Sequence, residues 1–352
     1  MAPLDFLTLP PTNPSPLFEL YRSNYATEVL VAAVAHFRFF DRINSEPIRP
    51  SQISDTCGLS QRAAHVFLTA LRALGLVTVS SEGLLTLPES VRQHLLPGQP
   101  FYIGDYFSLA SQSPGVLSLV ESLRNSRPVE RTSHGPGAAF IYREGMESAM
   151  DVEQSARSLT LALTGRARNV APYLARLLQF PPGDILLDVG AGSGLYSIAL
   201  LQANPGLQVI ALDRPEVLKV VEEFAGAAGV RDRLQLLPGD MFEAALPTVD
   251  AVLLSNVLHD WDIPDCRLLI KRCALALKPN GRLLVHDAFL ADALDGPLGT
   301  ALYSIALFTL TEGRAYSRAE MAEWLTEVGL ETSPVESTLV LAGLITATRR
   351  HH

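Results

Sequence analysis

Residues 185–194 read ILLDVGAGSG, a short apolar run followed by three glycines at alternate positions. The run predicts a buried strand, and the apolar segment from Leu195 to Leu201 predicts a helix directly after the loop. Glycines suit such a loop because they let a bound nucleoside approach the backbone between the strand and the helix. Position 195 is leucine where a dinucleotide-binding loop has its third glycine, which disfavours a nicotinamide cofactor.

Short apolar runs continue to alternate with amphipathic segments after this loop. This alternation is typical of a doubly wound α/β sheet. The predicted strands are 185–189, 208–212, 234–237, 250–254 and 282–286, followed by a final pair at about 332–338 and 339–348. The predicted fold class is therefore Rossmann-like α/β, with a mostly parallel seven-stranded sheet and a terminal antiparallel strand.

Carboxylates follow two neighbouring predicted strands. Asp213 ends the second strand, where it can accept hydrogen bonds from both hydroxyls of a ribose. Asp240 follows the third strand, where it can bind an adenine amino group while Met241 packs on the ring. Either aspartate alone is explained equally well as a helix cap or turn residue. Together with Gly190 they predict a nucleoside site, because α/β folds bind ligands at this edge of the sheet.

Residues 48–87 have the pattern of a winged helix-turn-helix. The predicted elements are two helices at 50–58 and 60–75 and a hairpin with strands at 76–79 and 84–87. The obvious function of this pattern is DNA binding. However, the second helix offers only Arg62 and Arg72 as cations, whereas a DNA-reading helix normally presents a richer basic face. We therefore favour a dimer interface for this region.

The patterns divide the chain into four predicted ranges. Five prolines in the first sixteen residues predict an extended arm, and apolar residues at three- and four-residue spacing from Leu17 predict an amphipathic helix that needs a partner surface. The ranges are 1–16 for the arm, 17–100 for a mainly helical winged-helix dimerisation domain, 101–180 for a helical connector with loops at 124–128 and 133–137, and 181–350 for the catalytic domain.

Amino-acid composition limits the kinds of binding partner and the cellular compartment that we expect for this chain. The 352 residues are 48% hydrophobic and 18% charged, which predicts two domains with large cores. A net charge of −9 disfavours nucleic acid, and no signal peptide or membrane span is predicted. Three cysteines without metal-ligand spacing predict reduced thiols in the cytoplasm and no metal site.

Further motifs make the pattern specific. Besides the glycine loop, the sequence has GDMF at 239–242, LHDW at 258–261 and LKPNGR at 277–282. With the preceding winged-helix region, this combination resembles the plant-type and bacterial small-molecule O-methyltransferases, the family that includes caffeate and acetylserotonin methyltransferases. The resemblance extends over nearly the whole chain. It implies a class I enzyme of secondary metabolism that uses S-adenosylmethionine, releases S-adenosylhomocysteine, methylates a hydroxyl of a small aromatic or polyketide-type metabolite, and forms a homodimer through its N-terminal domain.

The resemblance also implies which residues bind the cofactor and the acceptor. The implied cofactor contacts are Asp188, Gly190, Gly192, Asp213, Arg214, Asp240, Met241, Phe242, Ser255 and Trp261. Ser255 stands where many family members have a cofactor-binding lysine. The implied lining of the acceptor pocket is Leu302, Ala306, Thr309 and Leu310, in a helix predicted over 298–310, and the connector at 101–180 is expected to contribute to the same pocket.

His259 matches the general base of the family. A phenol with a pKa of about 10 is a poor nucleophile at neutral pH, and a histidine can take its proton as the oxygen attacks the sulfonium methyl. Asp260 is expected either to orient the imidazole or to hold the start of a helix. Asp287 matches the first of two acidic residues that flank the family's histidine. A lone histidine is more often structural or solvated, so the prediction depends on its place at a strand end.

One departure from the family leaves alternatives open. Ala315 occupies the position of the second acidic residue, and Glu312 either compensates for it or is an ordinary surface carboxylate. The first alternative function is an enzyme of the same fold that uses the bound cofactor for a non-methylating reaction. The second is a ligand-responsive transcription regulator that uses its winged helix.

Overall fold

A computed structural model describes residues 3–129 and 153–349, and the chain divides into two compact units. We call them the sheet unit (Met1–Pro16, His134–Phe289 and Arg318–His352) and the helical unit (Leu17–Ser133 and Leu290–Ser317). The predicted loop at 133–137 lies outside the described residues. Within the described ranges, no helix is both long enough and apolar enough to cross a membrane.

The helices and strands alternate as the sequence predicts from residue 185 onward. The helices are α1 (Ser15–Arg22), α2 (Asn24–Val31), α3 (Phe39–Ser45), α4 (Ile53–Cys57), α5 (Gln61–Ala73), α6 (Glu89–Leu95), α7 (Gly104–Ser108), α8 (Pro114–Asn125), α9 (Glu153–Leu177), α10 (Leu195–Ala203), α11 (Pro215–Ala227), α12 (Ile263–Ala276), α13 (Leu298–Phe308) and α14 (Arg318–Glu327). The strands are β1 (Thr78–Val79), β2 (Leu85–Thr86), β3 (Ile185–Val189), β4 (Gln208–Asp213), β5 (Leu234–Pro238), β6 (Val249–Ser255), β7 (Leu277–Leu290), β8 (Tyr316–Ser317), β9 (Leu330–Thr332), β10 (Glu336–Ser337) and β11 (Ala342–Arg349).

The sheet unit is built on a twisted sheet with the main strand order β10-β11-β7-β6-β3-β4-β5. The pairs β7/β6, β6/β3, β3/β4 and β4/β5 are parallel, whereas β11 is antiparallel to β7 and to β10. The mostly parallel Rossmann-like fold class is thereby confirmed, and two further short strands, β8 and β9, add to the seven of this main order. The chain leaves β3 in one direction toward β4 and β5 and returns on the other side as β6 and β7. Ligands bind at such a switch point, beyond the carboxyl ends of the strands.

Two predicted strands differ from the observed ones. The strand predicted at 282–286 is part of the longer β7, which begins where Leu277 pairs with Val249. The pairing is interrupted by a bulge around Asn280, which has a φ of 61°, and it resumes at Arg282. The strand predicted at 332–338 is divided into β9 and β10. Pro334 lies between them and has no N–H to donate to a neighbouring strand.

The described part of the N-terminal arm has no helix or strand before α1, but it bends at Phe6, Thr8, Pro11 and Thr12 and is therefore not the extended segment that the prolines predict. The arm belongs to the sheet unit. Phe6 is 2% exposed within that unit's apolar core, and the amide of Leu4 donates to the carbonyl of Ala227 at 2.8 Å. The single helix predicted from Leu17 is instead two helices, α1 and α2. They are separated at Ser23, whose hydroxyl bonds to the carbonyl of Leu20.

The helical unit contains the predicted helix-turn-helix as α4 and α5, with β1 and β2 as the hairpin. Gly58 ends α4 with a φ of 65°, and the Ser60 hydroxyl accepts from the amide of Ala63 at the start of α5. Helix α13 also belongs to this unit, because its residues Ile305 and Phe308 are fully buried in the same apolar core. The predicted ranges 17–100 and 181–350 therefore differ from the two units at residues 290–317.

Both arginines of α5 contact segment 290–317 of their own chain. Arg62 donates to the carbonyls of Thr311 at 2.7 Å and Gly313 at 3.2 Å, and Arg72 donates to the carbonyl of Ala293 at 2.6 Å. These carbonyls lie in the loops before and after α13, where they have no partner within a helix or sheet ladder and accept from the arginines instead. The two cations that a DNA-binding helix would present to phosphates thus stabilise the fold of the helical unit.

Candidate functional site

The loop after β3 places three glycines in the left-handed region of backbone conformation. Gly190, Gly192 and Gly194 have φ values of 71°, 56° and 72°. A Cβ at Gly190 would lie 2.9 Å from a methyl of Val257, and one at Gly194 would lie 2.7 Å from a methyl of Val221. A Cβ at Gly192 would meet no atom within 4 Å. Packing thus requires two of the glycines, whereas the space beside Gly192 can admit a bound nucleoside.

Asp213 at the end of β4 is tied to this loop. Its Oδ2 accepts from the amide of Gly192 at 2.8 Å, and its Oδ1 accepts from the amide of Arg214 at 2.7 Å. Burial raises the pKa of Asp213 to about 6, although these two amides favour the charged form. Each carboxylate oxygen has a second lone pair, so both can still accept a hydroxyl.

Asp188 lies deeper in the sheet unit, at the end of β3. It is 2% exposed, and its Oδ2 accepts from the hydroxyl of Ser197 on α10 at 2.6 Å. Burial raises the pKa of Asp188 to about 7, and the nearby charge of Asp213 acts in the same direction. In this arrangement Asp188 links β3 to α10. A direct contact between Asp188 and the cofactor stays a prediction.

The segment after β5 lies beside Asp213, because the amide of Gly239 donates to the carbonyl of that residue at 3.0 Å. Asp240 is exposed, and its Oδ1 accepts from the amide of Phe242 at 2.7 Å. The ring of Phe242 meets the indole of Trp261 edge-on, with centroids 4.9 Å apart. Asp213 and Asp240 therefore lie at the ends of the neighbouring strands β4 and β5, and the aromatic pair joins the segment after β5 to the segment after β6.

His259 lies in a single helical turn, Leu258–Asp260, that follows β6. Its imidazole is buried, and the distance from Nδ1 to Oδ1 of Asp287 on β7 is 2.5 Å. Burial lowers the pKa of His259, but the charges of Asp287 and Asp260 outweigh burial and leave the pKa above its ordinary value of 6.5. Burial raises the pKa of Asp287, yet the interaction with His259 holds it below 3.8. The two residues form an ion-pair-like dyad.

Asp260 has a different relation to the same ring. Its Oδ1 lies 3.6 Å from Nε2 of His259, which is too long for a hydrogen bond. Burial raises the pKa of Asp260 to about 6, partly offset by His259. Of the two carboxylates considered for orienting the imidazole, the structure gives that contact to Asp287.

A polar network that the sequence did not reveal lies beside the dyad. Ser255 Oγ contacts Nδ1 of the fully buried His286 at 2.9 Å, and the other ring nitrogen of His286 contacts the Thr338 hydroxyl at 2.9 Å. Asn256 donates to Ser255 Oγ at 3.1 Å and accepts from the guanidinium of Arg166 on α9. The hydroxyl of Ser255 thus has structural partners, and its contact with the cofactor stays a prediction.

The predicted pocket residues lie on α13 and just after it, in the helical unit. Leu302, Ala306 and Thr309 share one helix face at i, i+4 and i+7, and Ile305, which is buried in the core, lies next to that face at i+3 from Leu302. Leu302 is buried and Leu310 is 38% exposed.

Ala315 is fully buried in the same unit and packs in an apolar cluster with Leu290 and Ala301. Its amide donates to the Ser304 hydroxyl at 3.1 Å. A carboxylate at this position would lose its hydration, so this chain's own packing favours the small apolar side chain. Glu312 is half-buried, and its compensating role stays a prediction.

No metal centre is found in the part of the chain that the structure describes. There, no three His, Cys, Asp or Glu side chains are grouped as they would be around an ion. The cluster of His259, Asp260, His286 and Asp287 instead divides into the His259–Asp287 dyad and the hydroxyl-bonded His286.

A glycine loop, an aspartate able to bind a ribose and a buried histidine–carboxylate dyad follow the strands around the switch point of the sheet. These features are typical of a nucleoside-dependent group-transfer enzyme with a Rossmann-like fold. The family model described as "O-methyltransferase domain" matches residues 121–331, and the chain belongs to this family. It is an S-adenosylmethionine-dependent O-methyltransferase. The family membership supports neither the non-methylating enzyme nor the transcription regulator.

Three relatives illustrate the similarity. The 3-hydroxy-5-methyl-1-naphthoate 3-O-methyltransferase of Streptomyces sahachiroi is 30% identical over 90% of this chain and 89% of its own. The acetylserotonin O-methyltransferase of Bos taurus is 26% identical over 89% of this chain and 91% of its own. The crystal structure of an O-methyltransferase family 2 protein from Planctomyces limnophilus, in complex with apigenin, is 42% identical and superposes with a TM-score of 0.88, covering 99% of this chain and 100% of that one. The resemblance inferred from the motifs is confirmed.

Proposed function

We propose that this enzyme methylates a phenolic hydroxyl of a planar aromatic or polyketide-type metabolite, with His259 as the general base. The observation that carries the proposal is the contact of 2.5 Å between His259 Nδ1 and Asp287 Oδ1 in a buried site after β6. The substrate class is supported by two relatives, one named for a hydroxynaphthoate and one solved with apigenin.

The dyad gives the imidazole the form that a base needs. When Nδ1 carries the proton that it donates to Asp287, Nε2 of a neutral ring has the lone pair. Nε2 takes the phenol proton while the phenol oxygen attacks, and the Asp287 carboxylate stabilises the resulting imidazolium. S-adenosylmethionine would supply the electrophilic methyl group on its sulfonium centre and would leave as S-adenosylhomocysteine when the sulfur–methyl bond breaks.

The cofactor would be held at the loop after β3 and at the ends of β4 and β5. The space beside Gly192 and the remaining lone pairs of Asp213 fit a ribose. The proposed contacts are Gly190, Gly192, Asp213, Arg214, Asp240, Met241, Phe242 and Trp261, with Asp188 and Ser255 kept as the less direct candidates.

In this proposal the helical unit contributes residues that bind the acceptor and a surface for homodimerisation. We assign the acceptor-pocket lining to Leu302, Ala306, Thr309 and Leu310. Leu17, Leu20 and Tyr21 are 70%, 70% and 82% exposed in the single chain, and their apolar surface supports homodimerisation through the N-terminal region. Three free cysteines in the described chain support a cytoplasmic location.

The test removes the base and measures binding separately. We expect His259→Ala to lower kcat about 100-fold or more, because general-base catalysis is lost, while the Kd of S-adenosylmethionine measured by calorimetry stays nearly unchanged. His94→Ala, a histidine of the helical unit that contacts the carbonyl of Phe101, is the matched control and should retain the wild-type kcat. Equal losses of turnover and cofactor affinity in His259→Ala would show a structural role.

The acceptor class is tested with a panel. Labelled S-adenosylmethionine is incubated with the enzyme and with naphthols, flavones, catechols, hydroxyindoles and aliphatic alcohols. We expect methyl transfer to phenolic oxygens and none to aliphatic alcohols, because only the phenols have a pKa that a histidine can approach. Methylation at carbon, or transfer to the aliphatic alcohols, would contradict the proposed substrate class.

A further inference from the structure

Arg166 on α9 reaches the end of β6, where the segment that leads to His259 begins. Its Nη1 donates to Oδ1 of Asn256. Asn256 has a φ of 56°, which lies in the left-handed region of backbone conformation that residues other than glycine rarely adopt. The backbone amide of Asn256 donates to the carbonyl of His286 at 2.8 Å, and its side-chain amide donates to the hydroxyl of Tyr196 at 3.3 Å. The turn is therefore fixed from several directions.

The same guanidinium brings a positive charge to a site that contains two carboxylates. Among the described residues, the charges that act on His259 come from Asp287 on β7, Asp260 in its own turn and Arg166 on α9. The carboxylates raise the pKa of His259, whereas Arg166 lowers it. Arg166 also favours the ionised forms of Asp260 and Asp287.

We infer that Arg166 is a positioning residue for His259: it fixes the Asn256 turn and supplies the positive charge that balances Asp260 and Asp287. The inference rests on the proposed role of His259 as the base. A base must be neutral before it can accept a proton, and two unbalanced carboxylates would favour the protonated imidazole, which cannot act as a base. Arg166 thus extends the working range of the enzyme toward lower pH.

Two substitutions of Arg166 separate charge from hydrogen bonding. Arg166→Gln retains a donor for Asn256 but loses the charge, and Arg166→Lys retains the charge without the planar fork. We measure kcat against pH at saturating cofactor and acceptor, together with the cofactor Kd and the melting temperature. A unit charge lost at short range should move the acid limb of the Arg166→Gln profile to higher pH by about one unit. The acid limb of Arg166→Lys should stay within a few tenths of a unit of the wild type.

The positioning role of Arg166 is tested by changing Asn256, the residue to which its guanidinium donates. Asn256→Gly keeps the left-handed backbone accessible and removes the side chain that Arg166 holds. We expect a fall in kcat of about tenfold, because a base displaced by less than an ångström transfers protons poorly. The matched control is Arg157→Gln, at another arginine of α9. It removes a surface ion pair with Glu223 and should leave both the kcat and its pH profile unchanged.

The outcomes distinguish this inference from the proposed function. If Arg166→Gln and the wild type have the same acid limb, or if Arg166→Lys shifts as far as Arg166→Gln, the charge role of Arg166 is wrong. If Asn256→Gly keeps the wild-type kcat, the positioning role is wrong. Both results leave the His259→Ala test untouched, because that test measures kcat at one pH in a protein whose Arg166 is intact. Full activity of His259→Ala would instead overturn the proposed function itself.

Discussion

His259 and His286 are two buried imidazoles near the ends of the adjacent strands β6 and β7, and they are 5% and 0% exposed. His259 has carboxylate neighbours, and its pKa lies above the ordinary histidine value. His286 has the hydroxyls of Ser255 and Thr338 as partners. Burial, together with the charge of Arg166, lowers the pKa of His286 to about 3, so this ring is neutral throughout the physiological range.

Two buried imidazoles therefore have pKa values that are shifted in opposite directions. Desolvation disfavours the imidazolium at both positions, but only a carboxylate partner repays that cost with charge. A hydroxyl satisfies the ring nitrogen without stabilising a cation. The difference supports the proposed proton-transfer role of His259 and favours a structural role for His286, although the sequence places both beside an aspartate, in the pairs His259-Asp260 and His286-Asp287.

Removing the carboxylate from the dyad should produce the largest effect. In Asp287→Asn we expect kcat to fall roughly 100-fold, because the amide no longer stabilises the imidazolium and no longer imposes the reactive tautomer. The acid limb of the remaining activity should move to lower pH, since the Asp287 charge is among the causes that raise the pKa of His259. Steady-state kinetics across pH measure both quantities.

The matched control for this prediction is Asp232→Asn, a substitution at an exposed aspartate of the sheet unit. It should leave kcat and the pH profile unchanged. An Asp287→Asn enzyme with wild-type turnover would show that the carboxylate does not support catalysis. It would also remove the distinction between the two histidines.

The sequence predicted the sheet and the strand-end residues because both follow from local patterns. The β3 strand, its glycine loop and Asp213 are all visible as an apolar run with polar residues at its end. The dyad required pairing across strands, and the resemblance supplied Asp287 whereas spacing alone could not. Arg166 gave no signal, since one arginine in a long helix resembles a solvated surface residue until Asn256 is seen beside it. The positive φ of Asn256 could have been suspected, because asparagine tolerates that region better than most residues.

Replacing His286 should change how stability depends on pH. The unfolded chain protonates this histidine below about pH 6.5 and the folded chain does not, so acid favours unfolding of the wild type until pH about 3. In His286→Gln the side chain at position 286 has no titratable group. The stability advantage of the wild type over His286→Gln should therefore shrink by up to about 1.4 kcal/mol for each pH unit below 6.5.

Urea titrations at pH 7, 6 and 5 give this difference. Asp188 and Asp213, whose pKa values burial raises to about 7 and about 6, contribute equally to both proteins and cancel. Parallel stability curves for wild type and His286→Gln would mean that His286 has the same pKa in the folded protein as in the unfolded chain. The contrast with His259 would then be lost.

The smallest effects are expected from the hydroxyl partners of His286. Ser255→Ala leaves buried hydrogen-bonding groups of His286 and Asn256 without their partner, and we expect a loss of about 1–2 kcal/mol in the free energy of unfolding. Thr338→Val is the matched substitution at the other ring nitrogen. Because Thr338 is only half-buried, water can replace its hydroxyl, and the expected loss is below about 1 kcal/mol.

Urea titration measures both losses, and calorimetry measures the Kd of S-adenosylmethionine for both variants. A Ser255→Ala protein with wild-type stability and weakened cofactor binding would place Ser255 in the cofactor site, as the family resemblance implies. Burial and the charge of Arg166 would then keep His286 neutral without the Ser255 hydroxyl.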